Sequence, residues 1–329
     1  MSCASRKTIL IAGATGFIGR NLLNWLSQRD VFRIRAVYNK RPPFQMKNPA
    51  VEWVQADLTQ HQDVERVMRN VDIVIQAAAT TSGSADITQR PYIHVTDNAI
   101  MNSLMLRASY DLAIEQFVFF SCSVMYQSSS NPVKEEEFCE ADELHPNYFG
   151  AGWTKLYIEK MCRFYAGLGK TKYTILRHSN IFGPHDKFDL QHSHIFGATV
   201  RKVMEAPNRS AVTVWGNGEE KRDLLYIDDL SDCVSTCIEN HASNFRLFNV
   251  GSGVAISVNQ IVKEIILASG RRQVVQHDLS KPNIPFSLAL DSELIKQELG
   301  WLPKISFSEG VRRTLGWYSK NLLGRDSAH

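Results

Sequence analysis

The chain has 329 residues, enough for about two domains at a usual ~150 residues each, or for one large α/β unit with an appended lobe. Its 44% hydrophobic residues can fill a sizeable core, and 19 glycines with 11 prolines are too few for a collagen-like or low-complexity chain. Charges are balanced, 37 basic against 34 acidic; the net charge of +3 excludes a disordered polyelectrolyte and calls for neither nucleic acid nor a membrane surface, yet leaves room for a basic pocket that takes a small anion.

Cys3, Cys122, Cys139, Cys162, Cys233 and Cys237 form no CxxC pair and have no histidine at metal-ligand spacing. They read as free thiols of a cytoplasmic protein, with no metal expected. No apolar run reaches the ~18 residues of a membrane span. The apolar stretch near the start is full of glycine and does not read as a signal peptide.

Lys7–Ala12 reads as a buried strand. The loop Gly13-Ala14-Thr15-Gly16-Phe17-Ile18-Gly19 follows it and opens a helix over Gly16–Gln28. Glycine there allows a tight turn and a close approach of backbone to a pyrophosphate, which the helix N-terminus then receives. Gly13, Thr15, Gly16, Phe17 and Ile18 are therefore cofactor candidates. Phe32–Tyr38 is the second strand. An NAD site usually has an acid at its end, to accept from the ribose 2′-hydroxyl. Here stand Asn39, Lys40 and Arg41, which suit a 2′-phosphate, so NADP(H) is favoured over NAD(H). Val51–Gln55 is a third strand, followed by Asp57 and Leu58; the Asp57 carboxylate can accept from an adenine amino group. Gln60–Arg69 reads as a helix and Val71–Ala77 as a fourth strand, ending in Ala77, Ala78 and Ala79, small enough for a cofactor to lie against backbone.

A helix over Ala99–Leu112 and a strand over Phe117–Ser121 continue the alternation. A helix over Trp153–Leu168 and strands over Tyr173–Arg177 and Phe248–Val250 follow. This rhythm predicts an α/β fold with a doubly wound parallel sheet of Rossmann type. The stretch Pro184–Leu224 interrupts it and reads as a site-bearing lobe; Val258–Trp317 holds two amphipathic helices. The expected division is residues 1–180 with about 225–250 in the dinucleotide domain, and 181–224 with 251–329 in a smaller, discontinuous lobe. Arg201, Lys202 and Arg222 can meet a nucleotide's phosphates, and Trp215 can wall its base. Asp228 and Asp229 are expected to cap a helix starting at Leu230. Asn98 reads as a helix-start residue or as a support of Lys155 through water.

The Gly-rich loop, Asn180-Ile181-Phe182-Gly183-Pro184 and Val214-Trp215-Gly216-Asn217-Gly218 with Arg222–Asp229 together resemble the extended short-chain dehydrogenase/reductases, the NAD-dependent epimerase/dehydratase family. The likeness runs through most of the chain. With Ser193-His194 and Leu279–Pro282 it is greatest for the branch that epimerises and reduces GDP-linked 4-keto-6-deoxyhexoses. The resemblance implies an NADP(H)-dependent nucleotide-sugar reductase and epimerase. It adds Lys155 and His178 to the cofactor set, and Ser123, Asn180, His194 and Lys281 to the substrate set. It also implies a homodimer paired through two helices from each chain, here about Ala99–Leu112 and Trp153–Leu168, with Leu104, Met105, Ala108, Leu156, Met161 and Phe164 supplying apolar surface.

The family's catalytic core is Ser or Thr after the fifth strand plus Tyr-x-x-x-Lys on a helix. Lys155 fits, but four residues before it stands Ala151, either a native departure or a replaced tyrosine. Tyr148 lies seven residues before Lys155; in an unbroken helix it shares the face but sits roughly 4.5 Å too far along. Both Cys122 and Ser123 compete for the hydroxyl position. The cysteine that serves epimerisation in that branch corresponds to Val124, while its partner histidine corresponds to His194. Two readings follow: an enzyme whose protons come from His194, Cys122, Tyr148 or water, and a catalytically weak binder of cofactor and nucleotide sugar.

Overall fold

The computed structural model describes residues 6–29, 31–46, 48–80, 90–190, 193–240, 242–281 and 286–323. Cys3 and Pro282, named above, lie outside these.

Seven strands form one parallel sheet: β1 (Lys7–Ala12), β2 (Phe32–Tyr38), β3 (Val51–Gln55), β4 (Ile73–Gln76), β5 (Gln116–Cys122), β6 (Lys172–His178) and β10 (Phe245–Val250). Their order is β10-β6-β5-β4-β1-β2-β3. The direction of winding reverses between β1 and β4, so a crevice opens beyond their carboxyl ends. The central strands β1, β4 and β5 carry runs of buried apolar residues because both faces are covered. Ile9 and Ile11 face Leu22, Leu23 and Leu26 of α1 (Phe17–Ser27) and Leu230 and Val234 of α6 (Ile227–Asn240). Leu10 and Ala12 face Met101 and Met105 of α3 (Thr96–Asp111) and Ile158 of α4 (Phe149–Gly167). The helix α2 (His61–Met68) joins β3 to β4.

The remaining chain forms smaller sheets. The strands β7 (Asn180–Phe182), β9 (Lys221–Tyr226) and β11 (Ala255–Ser257) make one. The other pairs β8 (Ala211–Trp215) with β12 (Val274–Asp278). Around them lie α5 (Ile195–Glu205), α7 (Val258–Ala268), α8 (Glu293–Leu299) and α9 (Phe307–Asn321).

Several expectations need correction. Val258–Trp317 holds three helices and a strand, not two helices. β12 was hidden because its five residues are mostly exposed and pair only with β8. The helix α6 starts at Ile227, and Asp229 is no cap: its carboxylate accepts from the N–H groups of Lys304 and Ile305. Of the expected partner-facing residues, Met105, Ala108 and Leu156 are buried in the chain's own core, and Leu104 and Met161 pack partly against it. Phe164 is exposed, as are Phe149, Trp153, Tyr157 and Leu168 on the same helix.

Candidate active site

The Gly-rich loop is forced by close approaches. Gly13 has φ +70°, and a Cβ there would lie 2.7 Å from the Ala78 Cα. A Cβ on Gly19 would lie 2.2 Å from the Gly13 carbonyl oxygen. Only glycine lets the loop, α1 and the end of β4 meet this tightly. The result is a backbone cradle at a helix N-terminus, which fits the pyrophosphate of a dinucleotide.

Beyond β2, Arg41 donates to the Thr15 carbonyl at 3.2 Å and so lies across that loop. Lys40 is exposed, and the Asn39 carbonyl accepts from Gln55. Asp57 Oδ1 accepts from the Thr59 N–H and hydroxyl, forming a local turn; Leu58 behind it is core. Ala77, Ala78 and Ala79 follow β4. Asn98 holds the next residue, accepting from the Thr80 N–H and donating to its carbonyl, and donates to the His94 carbonyl as well.

Arg20 is a cofactor-side residue that the sequence reading missed. Its half-buried guanidinium stacks on Phe44 with 4.0 Å to the ring centroid. It lies close enough to Arg41 for the two charges to repel, and its Nε is buried with no hydrogen-bond partner among the described residues. Two repelling guanidiniums beside a phosphate cradle suit an anion. The available signal was a cation in the first turn of α1, the end that a helix dipole keeps for negative charge.

The catalytic candidates meet where β5 and β6 end. Lys155 Nζ donates to the Phe120 carbonyl at 2.6 Å. Burial pulls its ammonium below the ordinary lysine range, against the opposing influence of Cys122 and Glu159. Burial pushes the Cys122 thiol up, with Lys155 opposing, so the thiol is protonated at neutral pH. Cys122 thus lies in the field of Lys155. The Ser123 carbonyl accepts from the Tyr126 N–H and begins the turn that leaves the strand.

Tyr148 does not continue the helix. It ends a short 3₁₀ turn, Pro146–Tyr148, and α4 starts only at Phe149. The spacing of an unbroken helix therefore does not apply to it. The phenol lies in the fields of Arg222 and Cys122; burial raises its pKa first, and Arg222 opposes.

His178, at the end of β6, shares a 2.7 Å hydrogen bond between Nδ1 and the Ser179 carbonyl. Burial, then Ser179's opposing bond, then the Lys155 and His194 charges bring its pKa to about 4. His194 precedes α5 in extended conformation; burial, Lys187 and His94 lower its pKa, so it is neutral at pH 7.

The substrate-side candidates divide. Asn180 opens β7 and donates to the Asp223 carbonyl at 3.1 Å. Arg222 donates to the Lys221 and Phe286 carbonyls and faces Tyr148 from the other side of the cleft. Lys202 donates to the Thr213 carbonyl and sits 5.9 Å from the Trp215 ring centroid. Trp215 is 47% exposed, and Lys281 follows the Asp278 that pairs with it. Arg201 is turned back toward Glu205 of its own helix and the Phe188 carbonyl.

Comparison with known proteins agrees with this geometry. The family model described as the NAD dependent epimerase/dehydratase family matches residues 9–251. A GDP-L-fucose synthase of Sinorhizobium fredii is 27% identical over 321 residues, covering 96% of this chain and 96% of that protein. A GDP-L-colitose synthase of Yersinia pseudotuberculosis is 24% identical, with 94% and 97% covered. Among solved structures, a UDP-glucose 4-epimerase of Thermotoga maritima with UDP-glucose has the same fold, with TM-score 0.82 at 24% identity and 96% and 99% covered.

Proposed function

The chain belongs to the NAD dependent epimerase/dehydratase family, and from that premise we propose an NADP(H)-dependent enzyme that reduces, epimerises or does both to a nucleotide-diphosphate-linked 4-keto-6-deoxyhexose. The GDP-L-fucose and GDP-L-colitose synthases among its relatives favour a GDP-linked sugar. The observation that carries the reading is the convergence of Lys155, Cys122, Tyr148, His178 and His194, with Arg222 facing them.

In this reading Arg20, Arg41 and the glycine cradle hold the dinucleotide, which supplies the hydride when bound. Arg222 and Asn180 hold the sugar's diphosphate region, while Lys202, Trp215 and Lys281 border the base. Lys155 binds the nicotinamide ribose and presents positive charge to the reacting oxygen. The Tyr148 phenol gives that oxygen its proton, with Arg222 favouring the phenolate left behind. Neutral His194 takes a proton from a carbon next to the ketone, and the protonated Cys122 thiol is placed to return one.

Three further elements belong to the proposal. The division at 1–180 with 225–250 is supported by β10 lying in the large sheet. A homodimer is supported by the exposed apolar face of α4, and a reducing cytoplasm by free thiols at the five described cysteines. A second reading, a weak binder, is favoured by Ala151, which leaves no phenol four residues before Lys155.

A single-turnover reaction with NADPH and a GDP-4-keto-6-deoxyhexose in D₂O separates them. Loss of NADPH absorbance establishes reduction, and deuterium at C3 or C5 by NMR establishes epimerisation. Neither, with both ligands still binding by calorimetry across several nucleotide sugars, refutes the enzyme and leaves the binder.

A further inference from the structure

Lys155 has a carboxylate one turn further along its own helix, Glu159. Lysine and glutamate four residues apart on a helix are neighbours and ordinarily attract. Here they do not pair. Lys155 Nζ turns to the Phe120 carbonyl, 2.6 Å away. Glu159 accepts from Ser121 Oγ at 2.5 Å and from Arg177 Nε at 3.0 Å on Oε1, and from Arg177 Nη2 at 2.7 Å on Oε2.

Arg177 is in turn fixed from behind. Its Nη1 donates to the Tyr126 hydroxyl at 2.9 Å, and Tyr126 donates to Asn249 Oδ1 at 2.8 Å. Asn249 Nδ2 donates to the Val133 carbonyl, and its backbone N–H donates to Glu135. Glu159, Arg177, Tyr126, Ser121 and Asn249 are all buried. This network crosses β5, β6, β10 and α4 directly behind the candidate catalytic groups. Glu159 nevertheless remains close enough for its charge to act on both Lys155 and Cys122.

We propose that Arg177 and Ser121 are positioning residues: by clamping Glu159 on both oxygens they deny it to Lys155, and the ammonium stays directed at the end of β5, where Cys122 and Tyr148 lie. The inference rests on the reading of Lys155 as the cation of the active site. A carboxylate so close to that lysine, released from its clamp, would pair with it and withdraw its charge from the thiol and the phenol. The clamp thus does more than bury an ion pair. It decides which of two neighbouring charges the active site feels.

Ser121→Ala tests this: it removes the shortest of the clamp's three hydrogen bonds and loosens Oε1, the oxygen that can then swing toward Lys155, while Arg177 on Oε2 keeps the Glu159 charge from being buried unpaired. The readouts are the pH profile of iodoacetamide alkylation at Cys122, followed by peptide mass spectrometry, and the Kd of NADPH. Alkylation tracks the thiolate, so withdrawal of Lys155 slows it, by about five- to tenfold near pH 8, and weakens NADPH binding several-fold. Ser121→Thr, which keeps the hydroxyl, restores both. Adding Glu159→Gln to Ser121→Ala also reverses the loss of alkylation, since an amide cannot neutralise an ammonium. Should Ser121→Ala fold poorly, Tyr126→Phe loosens the same clamp through Arg177 and is read the same way.

An unchanged alkylation profile and NADPH affinity, with only a lower Tm, would make the network purely structural and overturn the proposal. The two readings fail separately. A wild-type protein that turns over no sugar but shows the Cys122 shift keeps this inference. A wild-type protein that reduces its sugar, with no shift in the variants, loses it.

Discussion

Arg20 is a cation where its own helix disfavours one, and its chemistry predicts cofactor choice. With Arg41 it makes a doubly positive corner beside the cradle. A hydrogen bond to a charged group contributes about 1.5–3 kcal/mol, so Arg20→Leu should weaken NADPH about tenfold or more while leaving NADH unchanged. Calorimetry with both cofactors checks this. Equal losses for the two would mean that the corner does not read the 2′-phosphate. Tyr148 carries a second prediction. Tyr148→Phe should lower the single-turnover rate about 10²–10⁴-fold with substrate binding retained, the usual cost of removing a positioned acid. His194 carries a third. As a base it must be neutral, and its pKa lies below the ordinary histidine value. The acid limb of solvent-deuterium incorporation should therefore fall below the ~6.5 of a free histidine, and His194→Gln should abolish incorporation. A limb at or above that value would transfer the role to another group.

At the scale of elements, what sequence could reveal followed the strength of its local signals. The parallel sheet was legible because buried strands such as Lys7–Ala12 and Gln116–Cys122 carry apolar runs bounded by turns. The cradle was legible because two close backbone approaches, at Gly13 and Gly19, demand glycine at fixed spacing. The small sheets were not, since β11 and β12 are short and get their pairing from distant partners. Nor was the turn that holds Tyr148. An unbroken helix is the simple reading of a seven-residue spacing, whereas Pro146 and His145 build a 3₁₀ turn ahead of the helix. The clamp on Glu159 was invisible because its partners, Ser121 and Arg177, sit on two other elements, β5 and β6. One element-scale prediction follows from Asp186, in the loop before α5. Burial raises its carboxyl to about 7, against the opposing Lys187 N–H and charge. A raised carboxyl pKa in the folded state means that the folded protein holds a proton the unfolded chain releases above about 4. The contribution of this group to stability is then lost as pH climbs from about 4 through 7. Asp186→Asn removes it, so the Tm of the variant should gain on that of the wild type across the window; a difference that does not change with pH would contradict the buried, protonated carboxyl.

The whole molecule leaves one surface unexplained by its own packing. Phe149, Trp153, Tyr157, Phe164 and Leu168 recur at helical spacing on α4 and are 39–59% exposed. Neighbouring rings already interlock in part: Phe149 and Trp153 meet edge-on, and Tyr157 bonds Ser103 of α3. Single exposed apolar side chains are ordinary, but four aromatics and a leucine on one helix face support the proposed dimer. A two-fold axis across α3 and α4 would let the stripe cover its own copy, since an isologous contact needs one self-complementary face. Sedimentation should therefore give a dimer at micromolar concentration. Phe164→Glu would put two carboxylates into that contact and should yield a folded monomer, Phe164 being free of the core. The consequence reaches the active site, because the stripe begins at Phe149, the residue after Tyr148. Dimerisation would fix the first turn of α4 from outside, as the Glu159 clamp fixes its middle from within. The Phe164→Glu monomer should then keep NADPH binding, which depends on the distant cradle and on Lys155 in the clamped middle of the helix, yet turn over more slowly. If its rate per chain equals that of the wild type, the start of α4 is held by the chain's own contacts and the stripe serves assembly only.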